Sequence, residues 1–81
     1  MDAQQVLTHI SEIVTRLVAE KGGTASPIDA STELLGGGVG IDSLDLAMLV
    51  RELEEVTGFD PFHQGFVDFR TAGELAKLYT R

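Results

Sequence analysis

The first twenty residues of the chain carry apolar side chains at intervals of three and four, which is the repeat of one face of an α-helix. The residues of this stripe are Val6, Ile10, Ile13, Val14, Leu17 and Val18. The pattern predicts an amphipathic helix from Asp2 to Glu20, and Lys21-Gly22-Gly23 is predicted to end it, with a base in the last turn and glycine beyond it. Such a helix is stabilised mainly by packing its apolar face, so we expect a helical core.

A second helix is predicted to begin at Asp42 and Ser43. Asp42 is a good N-cap residue, and Asp45 falls in the first turn, where the helix dipole favours an anion. Thr57-Gly58 closes this helix. The residues predicted to face inward are Leu46, Leu49, Val50, Leu53 and Val56.

Two shorter helical segments are predicted after the second helix. The first is aromatic, and its members are Phe62, Phe66 and Phe69. Gly65 interrupts this segment, which therefore forms only a turn or two of helix. Thr71 and Glu74 have the spacing of a capping box and begin a last short helix. That helix is marked by Leu75, Leu78 and Tyr79. No stretch alternates with a period of two for long enough to predict a strand. We therefore expect an all-α fold, a small four-helix bundle of three main helices and one short helix.

The connection between the first two main helices is long and rich in glycine. It contains Pro27 and leads to Gly36-Gly37-Gly38-Val39-Gly40. A loop of this length in a small domain is usually functional or disordered. The apolar residues Ile28, Leu34 and Leu35 favour an ordered loop held on the core, with a short turn of helix near Leu34.

Length and composition limit the class of protein. The 81 residues fit one domain, residues 1–81, with one core. Cysteine is absent, which excludes disulfides, thiolate metal sites and a cysteine nucleophile. No apolar run approaches the roughly 20 residues that span a bilayer, and the N-terminus lacks the pattern of a secretory signal. These features predict a monomeric cytoplasmic protein that does not associate with membranes.

The charge is strongly acidic and unevenly spread. Thirteen acids and six bases give a formal net charge of -7, which disfavours nucleic acid as a partner and favours basic protein surfaces. Residues 42–60 hold six acids and one base, Arg51, so five of the seven net negative charges lie in this short stretch.

The segment Gly40-Ile41-Asp42-Ser43-Leu44 delivers a serine from a glycine-rich loop to the first turn of a helix. This position places a hydroxyl beside unpaired backbone N–H groups and the positive end of a helix dipole, where a phosphate group is well tolerated. Ser43 is therefore a candidate attachment point for a phosphodiester. The alternative is that Asp42 and Ser43 only cap the helix.

The order and approximate spacing of these features resemble the acyl and peptidyl carrier protein family. The resemblance covers the first helix, the glycine loop, the Asp42-Ser43-Leu44 triplet, the acidic helix and Thr71 before a short helix. It implies that Ser43, with Asp42 and Leu44 beside it, receives 4'-phosphopantetheine from coenzyme A through a separate phosphopantetheinyl transferase. It also implies a non-catalytic carrier whose arm holds acyl, polyketide or aminoacyl groups as thioesters.

The acidic helix is interpreted as a docking surface for basic patches on the transferase, the loading enzyme and downstream enzymes, where charge speeds encounter. The predicted docking residues are Leu44, Asp45, Met48, Glu52 and Glu55. The alternative is a solvated face without a partner. Fatty-acid carriers often have glutamate where this chain has Met48, so the resemblance favours specialised metabolism and leaves the cargo open.

Three other classes of protein are weighed against a carrier. An acidic interaction module could keep the fold without being modified, and it would not need Ser43. A Ser-His-Asp hydrolase could bring His63 to Ser43, but the Gly-x-Ser-x-Gly elbow is absent, and His9 and His63 are interpreted as surface or edge residues. A calcium-binding helix pair is disfavoured because no Asp-x-Asp-x-Asp-Gly loop is present, and no metal site is predicted.

Overall fold

The structure, a computed structural model, describes residues 2–24, 27–34, 40–63, 65 and 69–80. Within these ranges the chain is all-helical, with three α-helices and no strand: α1 (Ala3–Glu20), α2 (Ser43–Thr57) and α3 (Ala72–Tyr79). α1 packs against both other helices, whereas α2 and α3 share a smaller contact. None of these helices is long and apolar enough to cross a lipid bilayer.

The predicted first helix is confirmed. α1 begins after Asp2, whose carboxylate accepts a hydrogen bond from the Gln5 N–H while the Gln5 side chain accepts one from the Asp2 N–H. All six apolar residues of the predicted stripe are buried. The helix ends at Glu20 with Lys21 as its C-cap residue, and Gly22 then adopts a left-handed conformation with φ of 84°, which glycine reaches without a steric penalty.

The predicted second helix is also confirmed, with one error in its inward face. Asp42 caps α2, and Gly58, at φ of 70°, ends it. Leu49 and Leu53 are fully buried, while Leu46 and Val50 are partly buried and packed against the core. The prediction that Val56 faces inward is wrong, because this side chain is 40% exposed. It lies two turns beyond Leu49 on the same face, so burial along this face ends before the last turn of the helix.

The last helix begins as predicted. The Thr71 hydroxyl oxygen accepts a hydrogen bond from the Glu74 N–H at 3.2 Å, which is the forward half of a capping box. The buried residues of α3 are Ala72, Leu75, Ala76 and Tyr79. Leu78 is only partly buried and packs at the edge of the core.

The described part of the connection reaches the start of α3 through backbone pairing. Leu34 is buried, and its N–H donates to the Arg70 carbonyl at 3.0 Å, while Glu33 and Thr71 form an isolated antiparallel bridge. No α-helix is present in residues 27–34, and the rest of the segment in which a turn of helix is predicted lies outside the described residues. Leu35 and residues 36–39 lie outside the described residues.

The short fourth helix is not confirmed. In residues 60–63 and 65 the structure has turns: the Phe62 N–H donates to an Asp60 carboxylate oxygen at 3.0 Å, and the Gly65 N–H donates to the Phe62 carbonyl at 3.0 Å. Gly65, at φ of 134°, has a backbone conformation that does not continue a helix. Phe66, with Val67 and Asp68, lies outside the described residues.

Candidate functional site

A reciprocal capping box holds the first turn of α2. The Asp42 carboxylate accepts a hydrogen bond from the Asp45 N–H at 3.0 Å, and the Asp45 carboxylate accepts one from the Asp42 N–H at 3.3 Å. Ser43 is the first residue of the helix, and it is exposed. Its hydroxyl therefore lies at the positive end of a helix whose start is fixed on both sides.

The ammonium group of Lys21 fastens this capping box to the end of α1. It forms an ion pair with Asp45, lies 3.4 Å from a carboxylate oxygen of Asp42, and donates a hydrogen bond to the Gly40 carbonyl at 3.4 Å. Lys21 is itself the C-cap residue of α1. One side chain thus joins the end of the first helix to the beginning of the second.

The pKa shifts at this cluster favour its charged forms. The hydrogen bond from the Asp45 N–H lowers the pKa of the Asp42 carboxyl below its ordinary value, and the Lys21 charge lowers it further. The hydrogen bond to Asp45 raises the pKa of the Lys21 ammonium, and the nearby carboxylate charges add to this effect. The ordinary pKa of Asp is already well below 7 and that of Lys well above it, so Lys21 and Asp42 carry their charges at neutral pH.

An open apolar cavity of about 350 Å³ lies beside Ser43. It is lined by Ser43, Leu46, Ala47, Val50, Phe62 and Phe69. The Phe62 ring contacts Phe69 edge to face, with ring centroids 6.1 Å apart, and also lies 6.3 Å from the ring of Tyr79. The sequence reasoning missed this cavity. Its signal was the helical spacing of Ser43, Ala47 and Val50, which places them on one face of α2.

Three of the five predicted docking residues are exposed, one is half-buried and one is buried. Leu44 is 69% exposed and Met48 39%, and Glu55 is exposed on the same side of the helix. Glu52 is half-buried and forms an ion pair with Arg16 of α1. Asp45 is only 4% exposed and is held by Lys21, so its side chain is not part of the exposed surface of α2.

The histidines and acids give no other site in the part of the chain that the structure describes. His9 lies in α1 and His63 is exposed after α2, and neither lines the cavity at Ser43. Among the described residues no three His, Asp or Glu side chains are grouped so that they could hold a metal ion.

Comparison with known proteins identifies the family. The family model described as phosphopantetheine attachment site matches residues 12–79, which is most of the chain. The chain belongs to this family. Domains of the family are carrier modules that bear a covalent 4'-phosphopantetheine group, added by a phosphopantetheinyl transferase. Neither a curated protein nor a solved structure matches the chain.

The geometry at the start of α2 fits a phosphopantetheine attachment domain. A phosphodiester needs a reachable hydroxyl and surroundings that tolerate an anion. The exposed hydroxyl of Ser43 meets the first need, and the helix N-terminus with the Lys21 ammonium nearby meets the second. The adjoining cavity offers apolar surface next to the attachment point.

Proposed function

We propose that Ser43 is the attachment residue and that the chain is a non-catalytic acyl carrier. The phosphopantetheine thiol supplies the thioester that holds the cargo. The observation that supports this best is the exposed Ser43 hydroxyl at the first position of α2, beside an apolar cavity. Asp42 caps the helix at this point, and Leu44 presents an exposed apolar side chain on the other side of the serine.

The cavity supports an apolar acyl cargo over an aminoacyl one. An acyl chain that leaves water for this cavity gains roughly 25 cal/mol for each Å² of apolar surface buried. The ammonium group of an aminoacyl cargo would lose hydration there, because the described lining residues other than Ser43 carry no polar side chain. Aminoacyl cargo would therefore remain in solvent.

The exposed face of α2 is proposed as the docking surface for partner enzymes. It combines apolar contact from Leu44 and Met48 with negative charge from Glu55, and Glu52 lies at its edge. This combination suits partners with basic surfaces around an apolar centre, including the transferase and the enzyme that loads the cargo. The apolar Met48, where fatty-acid carriers often have glutamate, supports a role in specialised metabolism.

Intact mass tests the attachment residue. The purified chain is incubated with coenzyme A, magnesium and a broad-specificity phosphopantetheinyl transferase. We expect one phosphopantetheine adduct on the unaltered chain and on Ser11→Ala, and none on Ser43→Ala. Thermal melts should show that Ser43→Ala still folds. An adduct on Ser43→Ala would refute the assignment, and an unmodified wild-type chain would favour an unmodified interaction module.

A second experiment tests the cargo. The transferase is used to load the chain from coenzyme A, acetyl-CoA or octanoyl-CoA, and the melting temperatures are compared. We expect the octanoyl form to melt highest, because its chain buries apolar surface in the cavity. Ala47→Phe should remove this difference by filling the cavity, and Ala19→Phe, an exposed position on α1, should keep it. Equal midpoints for acetyl and octanoyl forms would contradict an acyl site here.

A further inference from the structure

We propose that Lys21 is a positioning residue for the loading of Ser43: it holds the first turn of α2 in the conformation in which the transferase takes up the serine hydroxyl. The inference rests on the proposed attachment at Ser43. It concerns the C-cap residue of α1, which is 22 positions away from Ser43 in sequence and outside the segment in which attachment is expected.

Lys21 contacts residues on both sides of Ser43 in the sequence. Gly40 and Asp42 precede Ser43 in the chain and Asp45 follows it, and the Lys21 ammonium reaches all three residues. Two of the three are the reciprocal members of the capping box, so Lys21 acts on the groups that define where α2 begins. The remaining contact holds the loop backbone just before the helix.

The burial of Asp45 makes this cation necessary. Asp45 is the one charged residue that is buried among the described residues, and Lys21 is the base that pairs with it there. A carboxylate removed from water is costly unless a cation or several hydrogen bonds compensate it. Without Lys21, the cost of burying the charge favours a conformation in which the Asp45 side chain points towards solvent. In that conformation it no longer accepts the hydrogen bond from the Asp42 N–H.

The expected consequence is local fraying. Leu49 and Leu53 remain in the core, so the body of α2 stays anchored when its first turn opens. A transferase that recognises only the ordered first turn then meets a smaller competent fraction of carrier. The apparent dissociation constant of the transferase for the carrier equals the intrinsic constant divided by the competent fraction, so it rises as this fraction falls. The chemical step within the complex is unchanged.

Lys21→Met is the test variant, and Arg16→Met is the matched control. Arg16 lies on α1 and, as Lys21 does, pairs with an acid of α2, in this case Glu52, which is more than two turns away from Ser43. Steady-state loading kinetics are measured well below the melting temperature of each variant. We expect Lys21→Met to raise the KM for the carrier at least about five-fold and to leave kcat unchanged. A five-fold rise corresponds to a first turn that is ordered in about 0.2 of the molecules. Arg16→Met should change KM less than about two-fold, and Lys21→Arg should restore it.

Amide hydrogen exchange on the unloaded chain gives a readout that is independent of loading. Exchange at the N–H groups of Asp45 and Leu46 should accelerate in Lys21→Met, while the amides of Leu53 should be unaffected. Both methionine variants change the net charge from -7 to -8, which would favour binding to a basic transferase, so a rise in KM is opposite to the charge effect.

Equal effects of Lys21→Met and Arg16→Met on KM and on exchange would overturn the proposal and leave Lys21 an ordinary stabilising residue. If the wild-type chain is not loaded at Ser43, the proposed function fails, but the exchange measurement still decides whether Lys21 orders the first turn. If Lys21→Met does not fold, Lys21→Gln, which keeps a hydrogen-bond donor without the charge, serves for the same comparison.

Discussion

Gly73 lies directly against the backbone of Ala30. Its N–H donates to the Ala30 carbonyl at 2.9 Å, and a Cβ atom at position 73 would come within 2.7 Å of the same oxygen. This contact joins the first turn of α3 to the connection between α1 and α2. The connection therefore approaches α3 so closely that only glycine fits without a shift of the backbone.

We expect Gly73→Ala to destabilise the fold by about 1–3 kcal/mol, because the clash with backbone atoms of Ala30 outweighs the higher helix propensity of alanine. Urea denaturation measures this loss. Gly23→Ala is the comparison: its Cβ would meet the Val18 side chain at 3.0 Å, and a smaller loss is expected because a side chain yields more easily than backbone. An unchanged or increased free energy of unfolding for Gly73→Ala would contradict the close contact.

A turn in the same connection should make the fold sensitive to acid. The Asp29 carboxylate accepts hydrogen bonds from the Ser31 hydroxyl at 2.6 Å and the Ser31 N–H at 2.9 Å, and these bonds lower its pKa from the ordinary 3.8. Because the folded-state pKa is the lower one, the unfolded chain binds more protons around this pH. The stabilisation is present above about pH 4 and is lost as the pH falls through the lowered pKa.

We therefore expect the free energy of unfolding to fall below about pH 4 in wild type, and to fall less steeply in Asp29→Asn, which cannot take up that proton. Ser31→Ala keeps the Asp29 carboxylate but removes one of its hydrogen-bond donors. The free energy of unfolding of this variant should also fall less steeply below about pH 4. Urea denaturation at a series of pH values provides the curves. Identical slopes in all three proteins would show that Asp29 is not responsible.

Tyr79 should make the fold sensitive to alkali. Burial raises the pKa of its phenol well above the ordinary 10.0, and the negative charges of Asp60 and Glu54 contribute. The folded state then keeps a proton that the unfolded chain loses, so stability decreases as the pH rises above about 10. Tyr79 is the single tyrosine of the chain, and there is no tryptophan, so phenolate absorbance reports on this group alone.

We expect phenolate absorbance to appear together with loss of helical circular dichroism, since the phenol ionises when the chain unfolds. Tyr79→Phe removes this titration and should move alkaline unfolding to higher pH. It gives up only a long hydrogen bond of 3.4 Å to the Val50 carbonyl. Phenolate formation in a chain that keeps its helical signal would contradict the burial of this side chain.

If the exposed face of α2 is the docking surface, the rate of loading should depend on the negative charge of Glu55. Glu55→Gln should slow association with a basic transferase at low ionic strength and reduce the salt dependence of the rate. Glu12→Gln makes the same change in net charge on an exposed position of α1 and is the control. Equal rates for both variants would support a solvated face without a docking role. Asp45 is unsuitable for this test because it is buried.

The helices of this fold were predictable because their signals are local. The three-and-four spacing of α1, the cap at Asp42 and the cap at Thr71 each depend on residues within one or two turns. The short fourth helix is not confirmed: residues 61–63 form turns, and Gly65 has a positive φ that an α-helix does not accommodate.

The burial of Asp45 could not be predicted in the same way. The spacing of Asp42 and Asp45 is that of a capping box, so the hydrogen bonds between them had a sequence signal. The pairing with Lys21 is tertiary: it depends on the end of α1 meeting the start of α2 across a long connection, and no local pattern gives that distance. The cavity beside Ser43 is tertiary for the same reason, since Phe62 and Phe69 come from another part of the chain.

The last prediction concerns salt and the acids of residues 42–60. The net charge of -7 and the concentration of acids in this stretch predict that moderate salt, or millimolar divalent cations, raises the melting temperature at neutral pH. The ion pairs of α2 with α1 oppose this, because salt also weakens them: Lys21 compensates Asp42 and Asp45, and Arg16 compensates Glu52. The rise in the melting temperature of the wild-type chain therefore depends on how much repulsion among the acids remains after these ion pairs have formed.

Lys21→Met removes the cation that compensates the carboxylates of Asp42 and Asp45. We expect its melting temperature to be below that of wild type at low salt and to rise more steeply with sodium chloride, and more steeply still with magnesium chloride. Lys77→Met makes the same charge change on the exposed side of α3 and should follow wild type. If the wild-type midpoint stays constant or falls in both salts, its acids are fully compensated in the fold. If Lys21→Met behaves in the same way as well, repulsion between Asp42 and Asp45 does not limit stability.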